Sequence, residues 1–262
     1  MDNQQVKKDF EDNGFVILRN LIPDSAISAY KEHYEKNSQF WKRSKEQRLI
    51  SDWEYRDDIH TVDEVVNSFL HMPEIVNIVS YLMELKDENI YPHLHLSLIP
   101  WVSTGQGWHY DEVRSELFGV QDKPHGRQVG AWIALDSITV ESGPFGFIPK
   151  SNRIDYSTDS IYKNFKKDYE NKLINEYEIY FSEDNKPFFK KTNEEVTIKF
   201  IMQHYSNMMV EYTDKCIDEK ILKDEMFIAN AGDVLFWSGK TIHCAHRSHD
   251  GYFRKSIIGH YS

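Results

Sequence analysis

Cysteine is nearly missing. Cys216 and Cys244 are the two thiols in 262 residues, too few for a disulfide framework, so a reducing compartment, the cytoplasm, is expected. No apolar run approaches membrane-spanning length, and the opening MDNQQVKKDFEDNG lacks the hydrophobic core of a signal peptide, so neither a membrane partner nor export is expected. Basic residues are in deficit, 31 Lys and Arg against 42 Asp and Glu, for a formal net charge of −11. An acidic surface repels a phosphate backbone, and no basic stripe interleaved with aromatics occurs, which argues against nucleic acid as a partner. Internal repeats and low-complexity tracts are also lacking. The hydrophobic share of 40% and aromatic share of 14% are enough for a sizeable core and exclude a disordered chain.

Hydrophobic periodicity divides the chain in two. Residues 4–13 read as a helix ended by Gly14, FVILR (15–19) as a buried strand, and Pro23-Asp24-Ser25 as the start of a helix running to about Trp41. VDEVVNSFL and PEIVNIVSYLMEL read as two more helices, the second with Pro73 in its first turn. From residue 89 strands take over: YPHLHLSLIPW, QVGAWIALDS (128–137), GPFGFIP (143–149), VLFWS after Gly232-Asp233, and RKSIIGHYS at the end. Between them, residues 155–226 are charged and tyrosine-rich, with helical stretches such as 208–223. The pattern predicts an α+β fold in which helices pack on one face of a β-sandwich or barrel.

A histidine and an acid two residues apart are a candidate metal half-site. With 12 His and 42 acidic residues, chance supplies about two such pairs. Two occur, His33-Tyr34-Glu35 and His109-Tyr110-Asp111. His33 and Glu35 fall inside a predicted helix, where residues two apart point roughly 200° from one another and cannot share an ion. His109 and Asp111 follow the glycine-bearing turn STGQG, and in extended backbone residues two apart face the same side. A surface turn remains the other reading of this pair. A third ligand would complete the two-histidine, one-carboxylate face of a non-heme iron site. The C-terminal stretch offers His243, His246, His249 and His260. His243 is followed eleven residues later by Arg254, in Arg254-x-Ser256; a guanidinium fork beside a hydroxyl is a good receptor for a carboxylate.

Four segments together resemble the phytanoyl-CoA hydroxylase-like family of Fe(II)/2-oxoglutarate dioxygenases: DNGFVILRNLI, WHYD, AWIALDSITVESGPFGFIPKS and GDVLFWSGKTIHCAHRSHDGYFRKSIIGHYS. The resemblance implies a single domain over 1–262: a double-stranded β-helix, jelly-roll or cupin-like, with N-terminal helices on one face and 155–226 as a mostly helical insertion or lid. It implies His109, Asp111 and His243 as ligands of Fe(II), which a reducing compartment would keep ferrous. Arg254 would grip the far carboxylate of 2-oxoglutarate, with Ser256, and Trp132 would stand near that cosubstrate. O2 is then the oxidant, succinate and CO2 are released, and a C–H bond of a small metabolite or natural-product intermediate is hydroxylated, desaturated or closed into a ring. Related halogenases replace the carboxylate by a small residue, so Asp111 implies no halogenation. Two departures stand out: Cys244-Ala245 beside the distal histidine, where small or hydroxyl residues are usual, and Ser142 where asparagine is usual.

Other residues have two readings each. His246 and His249 read as loop residues, and His93 and His95 as hydrogen-bonded core histidines or as contacts to a bound molecule. Arg114, Lys123, His125 and Arg127 form either an anion clamp in a 112–127 lid or a solvated basic loop. Two alternatives to the oxygenase stay open: a cupin-like metalloprotein that uses no 2-oxoglutarate, and a non-catalytic sensor that retains the barrel.

Overall fold

The first helix shows how closely local chemistry sets the boundaries. In α1 (Asn3–Asn13), the Asp2 carboxylate accepts from Gln4 N, and Gly14 at φ 83° returns its N–H to Phe10 O; only glycine adopts that left-handed closure without strain. The computed structural model describes residues 2–37, 59–85, 105–112, 128–177, 179–181, 187–189, 194–252 and 254–261. The strand expected at 91–101, with His93 and His95, and the segment carrying Arg114, Lys123, His125 and Arg127 lie outside the described residues.

After β1 (Phe15–Leu18) come α2 (Asp24–Asn37), α3 (Glu64–Leu70) and α4 (Pro73–Met83). Asp63 caps α3 by accepting from Val65 N and Val66 N, and Pro73 opens α4, where its missing N–H has no helical partner to lose. The strands follow: β2 (Gln106–His109), β3 (Val129–Ala134) and β4 (Phe145–Phe147). α5 (Ser160–Tyr177) and α6 (Glu194–Asp218) flank the hairpin of β5 (Ile179–Phe181) and β6 (Pro187–Phe189). The chain closes with β7 (Glu225–Met226), β8 (Val234–Ser238), β9 (His243–Ala245) and β10 (Ser256–Tyr261). Among the described residues no helix is long and apolar enough to cross a membrane.

Among the described residues, two four-stranded antiparallel sheets carry the architecture, ordered β1-β8-β3-β10 and β2-β9-β4-β7. The alternation of side chains along each strand sorts the residues into layers. Val129, Ala131 and Ile133 of β3 and Val234 and Phe236 of β8 face the core shared with α1, α2, α3 and α4. Their neighbours Trp132, Ala134, Leu235 and Trp237 face the other way and meet Phe145 and Phe147 of the second sheet. On the outside of that sheet, Trp108, Tyr110, Ile242 and Cys244 pack against Tyr162 of α5 and Tyr205, Met208 and Met209 of α6. Helices therefore cover both outer faces of a two-sheet α+β fold.

Three boundaries differ from expectation. α6 begins fourteen residues earlier than 208 and stops at Asp218, where Lys220 enters the left-handed region at φ 60°. His243 opens a strand of its own. Arg254 makes a lone bridge just before β10 and is not within the strand.

Candidate metal centre

β2 delivers its histidine by alternation. Trp108 (8% exposed) and Tyr110 (1%) turn outward into the α5–α6 layer, which points His109 inward. Tyr110 Oη and Tyr162 Oη each lie 2.8 Å from Tyr205 Oη, which ties β2 to both helices. The strand ends at His109, and Asp111 stands in the turn beyond it. That turn is held by Glu112 N donating to Gly239 O at 3.0 Å.

His243 arrives from the facing strand as the direct register partner of His109. The segment before it is anchored at three points. Thr241 Oγ1 donates to Gly14 O, Ile242 N donates to Ser151 Oγ, and Ile148 N donates to Ile242 O. Phe145 stacks on the His243 ring at 5.1 Å between centroids. The ligand atoms of His109, Asp111 and His243 all lie within 4.8 Å of one another. Asp111 Oδ1 is 3.6 Å from His243 Nε2 and 4.0 Å from His109 Nε2.

The hydrogen bonds put each group in its metal-binding form. His109 Nδ1 lies 2.8 Å from Gly107 O, and His243 Nδ1 lies 2.9 Å from Thr241 O. A carbonyl only accepts, so each Nδ1 carries the proton and each Nε2 keeps its lone pair. Gln106 Nε2, 3.2 Å from His109 Nε2, faces that same lone pair. Burial, reinforced by His243, pushes His109 down to about 4, and burial likewise lowers His243. Burial alone would raise Asp111, but the surrounding histidines and the Trp237 N–H outweigh it and hold the carboxyl well below the usual range. At neutral pH the set is two neutral imidazoles and one carboxylate, the donors of a facial iron site.

The fit to a second group rests on buried polar atoms with no partner. Arg254 is 5% exposed, and its Nε and Nη1 have no hydrogen-bond partner among the described residues; Ser256 Oγ and Trp132 Nε1 are likewise buried and without one there. The guanidinium lies 5.6 Å over the Trp132 ring. Ser256 pairs with Ala134, two residues from Trp132 on β3, so Ser256 and Trp132 share the inner face. Burial pushes Arg254 down to about 10. A charged fork, a hydroxyl and an indole N–H, buried without partners among the described residues, suit a carboxylate.

The remaining histidines separate clearly. His33 sits half-buried on α2 and pairs with Asp63 at 2.9 Å. His246 follows β9 with its ring edge-on to Trp108, on the outer side of the sheet with Cys244. His249 lies in the loop before β10. His260, offered in the sequence as one of four candidates, lies 3.8 Å from Asp111 Oδ2 through Nδ1. Two residues that the sequence did not flag touch Asp111 directly: Gln128 Nε2 at 2.9 Å and Trp237 Nε1 at 3.0 Å. The tryptophan of VLFWS on the inner alternation was the one sign of them.

No curated protein sequence matches the chain. Among solved structures it is similar to the non-heme alpha ketoglutarate dependent epimerase SnoN from nogalamycin biosynthesis, at 13% identity and a TM-score of 0.61, covering 99% of this chain and 82% of that one. EctD from S. alaskensis, solved with 2-oxoglutarate and 5-hydroxyectoine, matches at 13% identity and 0.61, covering 100% and 76%. EvdO2 from Micromonospora carbonacea var. aurantiaca matches at 16% and 0.55, covering 98% and 89%. At these identities the likeness is one of fold. The sequence itself matches the phytanoyl-CoA dioxygenase (PhyH) profile over residues 10–256, a span that takes in His109, Asp111, His243, Arg254 and Ser256; the chain belongs to the phytanoyl-CoA dioxygenase family.

Proposed function

We propose that this protein is a non-heme iron(II) oxygenase that uses 2-oxoglutarate and O2 to oxidise an unactivated C–H bond of a small-molecule metabolite or natural-product intermediate. The outcome is hydroxylation, desaturation or ring closure, with release of succinate and CO2. The observation that carries this reading is Arg254, a buried guanidinium with two nitrogens unpartnered among the described residues, in the same fold as a His-Asp-His cluster. A metal alone does not need an anion receptor, whereas a metal with a dicarboxylate cosubstrate does. The neighbours SnoN and EctD, described as alpha ketoglutarate dependent and as solved with 2-oxoglutarate, support the cosubstrate. SnoN and its carbocyclase relative SnoK, both from nogalamycin biosynthesis, support the substrate class.

Iron(II) with 2-oxoglutarate, when bound, supplies O2 activation and oxidising power. The chain's part is orientation. His109 and His243 present Nε2, Asp111 presents Oδ1, and the Gly107 and Thr241 carbonyls keep the imidazoles turned that way. Arg254, Ser256 and Trp132 would hold the cosubstrate's far carboxylate. Phe145 and Trp237 back the cluster on its inner side, with ring centroids 5.1 and 5.5 Å from that of His243. The matching fold reading is a double-stranded β-helix of the jelly-roll type in one domain over 1–262. The 155–226 insertion then braces β2 from outside through α5 and α6.

Anaerobic addition of iron(II) and 2-oxoglutarate is expected to give a visible metal-to-ligand charge-transfer band, lost in His109→Ala, Asp111→Ala and His243→Ala. Candidate substrates are then screened by succinate release. A cupin-like metalloprotein that uses no 2-oxoglutarate would bind metal without the band, and its activity would ignore Arg254→Ala. A non-catalytic sensor would give the band and no turnover with any substrate.

A further inference from the structure

The two oxygens of Asp111 have different surroundings. Oδ1 faces the imidazoles, 3.6 Å from His243 Nε2 and 4.0 Å from His109 Nε2. Oδ2 is turned away from them, accepting from Trp237 Nε1 at 3.0 Å and Gln128 Nε2 at 2.9 Å. Both donors are seated by their own neighbours. Trp237 is 1% exposed and lies across Gly130, where a Cβ would overlap the indole ring. The Gln128 main chain is pinned on both sides, its N donating to Glu112 Oε1 at 3.3 Å and its O accepting from Gly239 N at 2.8 Å. The Gln128 side-chain nitrogen also contacts His260 Nδ1. Turned over, that amide would set its carbonyl oxygen against the carboxylate, so the nitrogen is the atom facing Asp111.

We propose that Trp237 and Gln128, seated by Gly130 and His260, are positioning residues that reserve Oδ2 and so hold Asp111 to ligation of the metal through one oxygen. The proposal rests on the iron and 2-oxoglutarate reading above. A carboxylate with both oxygens free can chelate a metal ion. Its second oxygen would then take a coordination position that the cosubstrate's two donor atoms and O2 need. Two N–H donors aimed at Oδ2 make that swing unfavourable, because it would leave a buried indole N–H and a buried amide unpaired. The device thus protects the open face of the site while touching neither the metal nor the cosubstrate.

The test uses cobalt(II) as an optical probe in four full-length proteins: wild type, Trp237→Phe, Gln128→Met and the double variant. Trp237→Phe removes the indole N–H together with the ring atoms Cζ2 and Cη2 that lie beside Gly130, whereas Gln128→Met removes the amide at nearly constant length, so the two single variants separate loss of volume from loss of a donor. Cobalt(II) affinity is expected to fall less than 2-oxoglutarate affinity in every variant, because a second Asp111 oxygen reaching the metal offsets the lost support. Calorimetric affinity of the cobalt(II) forms for 2-oxoglutarate is expected to fall about tenfold or more in the double variant, with a change in the ligand-field bands before cosubstrate is added. Cobalt(II) and 2-oxoglutarate affinities falling in the same proportion would mean general collapse of the site and overturn the proposal; unchanged 2-oxoglutarate affinity would do the same. If the wild-type cobalt(II) protein takes up no 2-oxoglutarate, the functional reading fails. The positioning role is then decided by the ligand-field bands alone, and identical bands in wild type and double variant overturn it.

Discussion

Replacing Arg254 by methionine should stabilise the ligand-free protein while removing its hold on 2-oxoglutarate. The guanidinium is 5% exposed, its Nε and Nη1 are unpartnered among the described residues, and burial pushes it from 12.5 down to about 10. That fall, at about 1.4 kcal/mol for each factor of ten, means that carrying the charge there is unfavourable by about 3–4 kcal/mol. Its placement 5.6 Å over the Trp132 ring returns about 1 kcal/mol. Methionine keeps the apolar arm and removes the charge, so the variant should gain about 2–3 kcal/mol, a rise in Tm of at least about 4 °C. Its affinity for 2-oxoglutarate should fall by about 2–5 kcal/mol, thirtyfold or more, because charge-assisted hydrogen bonds to the carboxylate are lost. Differential scanning calorimetry of both metal-loaded proteins, with and without 2-oxoglutarate, reads both effects. At one hundred times the wild-type Kd the cosubstrate should add about 2.7 kcal/mol to the wild type and about 1 kcal/mol or less to the variant. An Arg254→Met protein that melts lower than wild type and gains as much from 2-oxoglutarate would refute the reasoning, since the arginine would then be a satisfied structural residue.

Gly130→Ala places a methyl group inside the Trp237 ring, and overpacking should lower stability by about 1–3 kcal/mol and weaken 2-oxoglutarate binding together; urea unfolding and calorimetry check the pair. Tyr205→Phe removes the hydroxyl that Tyr110 and Tyr162 both meet at 2.8 Å, which should cost about 1–3 kcal/mol in urea unfolding by loosening α6 from β2. In metal-free protein, His109 titrates at about 4 when folded against 6.5 when free. The unfolded chain therefore takes up its proton first, and stability present above pH 6.5 should be lost progressively down to about pH 4, a fall on the order of 3 kcal/mol that His109→Gln flattens. Turnover in chloride should yield no chlorinated product from the wild type, because Asp111 occupies the place a halide would need; mass spectrometry of the products decides.

The helices, most strands and their inward faces were readable because they depend on local periodicity. FVILR, QVGAWIALDS and VLFWS announce strands by themselves, and Gly14 announces the end of α1. The expectation that His109 and Asp111 face one side held in geometry although Asp111 lies past the strand end, because the turn at Glu112 is tied to Gly239 and keeps the carboxylate inward. The surroundings of Asp111 were not readable. Trp237 reaches it only because β8 pairs with β3 in the register that sets Trp237 opposite Gly130, and His260 sits beside Gln128 only because β10 pairs with β3 on the other side. Neither register is written in a single segment.

By itself the amino-acid sequence determined the class of residue at each point of the centre: two imidazoles and a carboxylate, an arginine two residues from a serine, and the alternation that turns them inward. The motif resemblance pointed to His243 among four histidines, but tertiary structure alone decided how it meets His109 from 134 residues away, and which oxygen of Asp111 is left to face them. The reason is physical: side-chain identity and strand period are local properties, whereas ligand convergence and hydrogen-bond allocation depend on strand pairing across the whole chain.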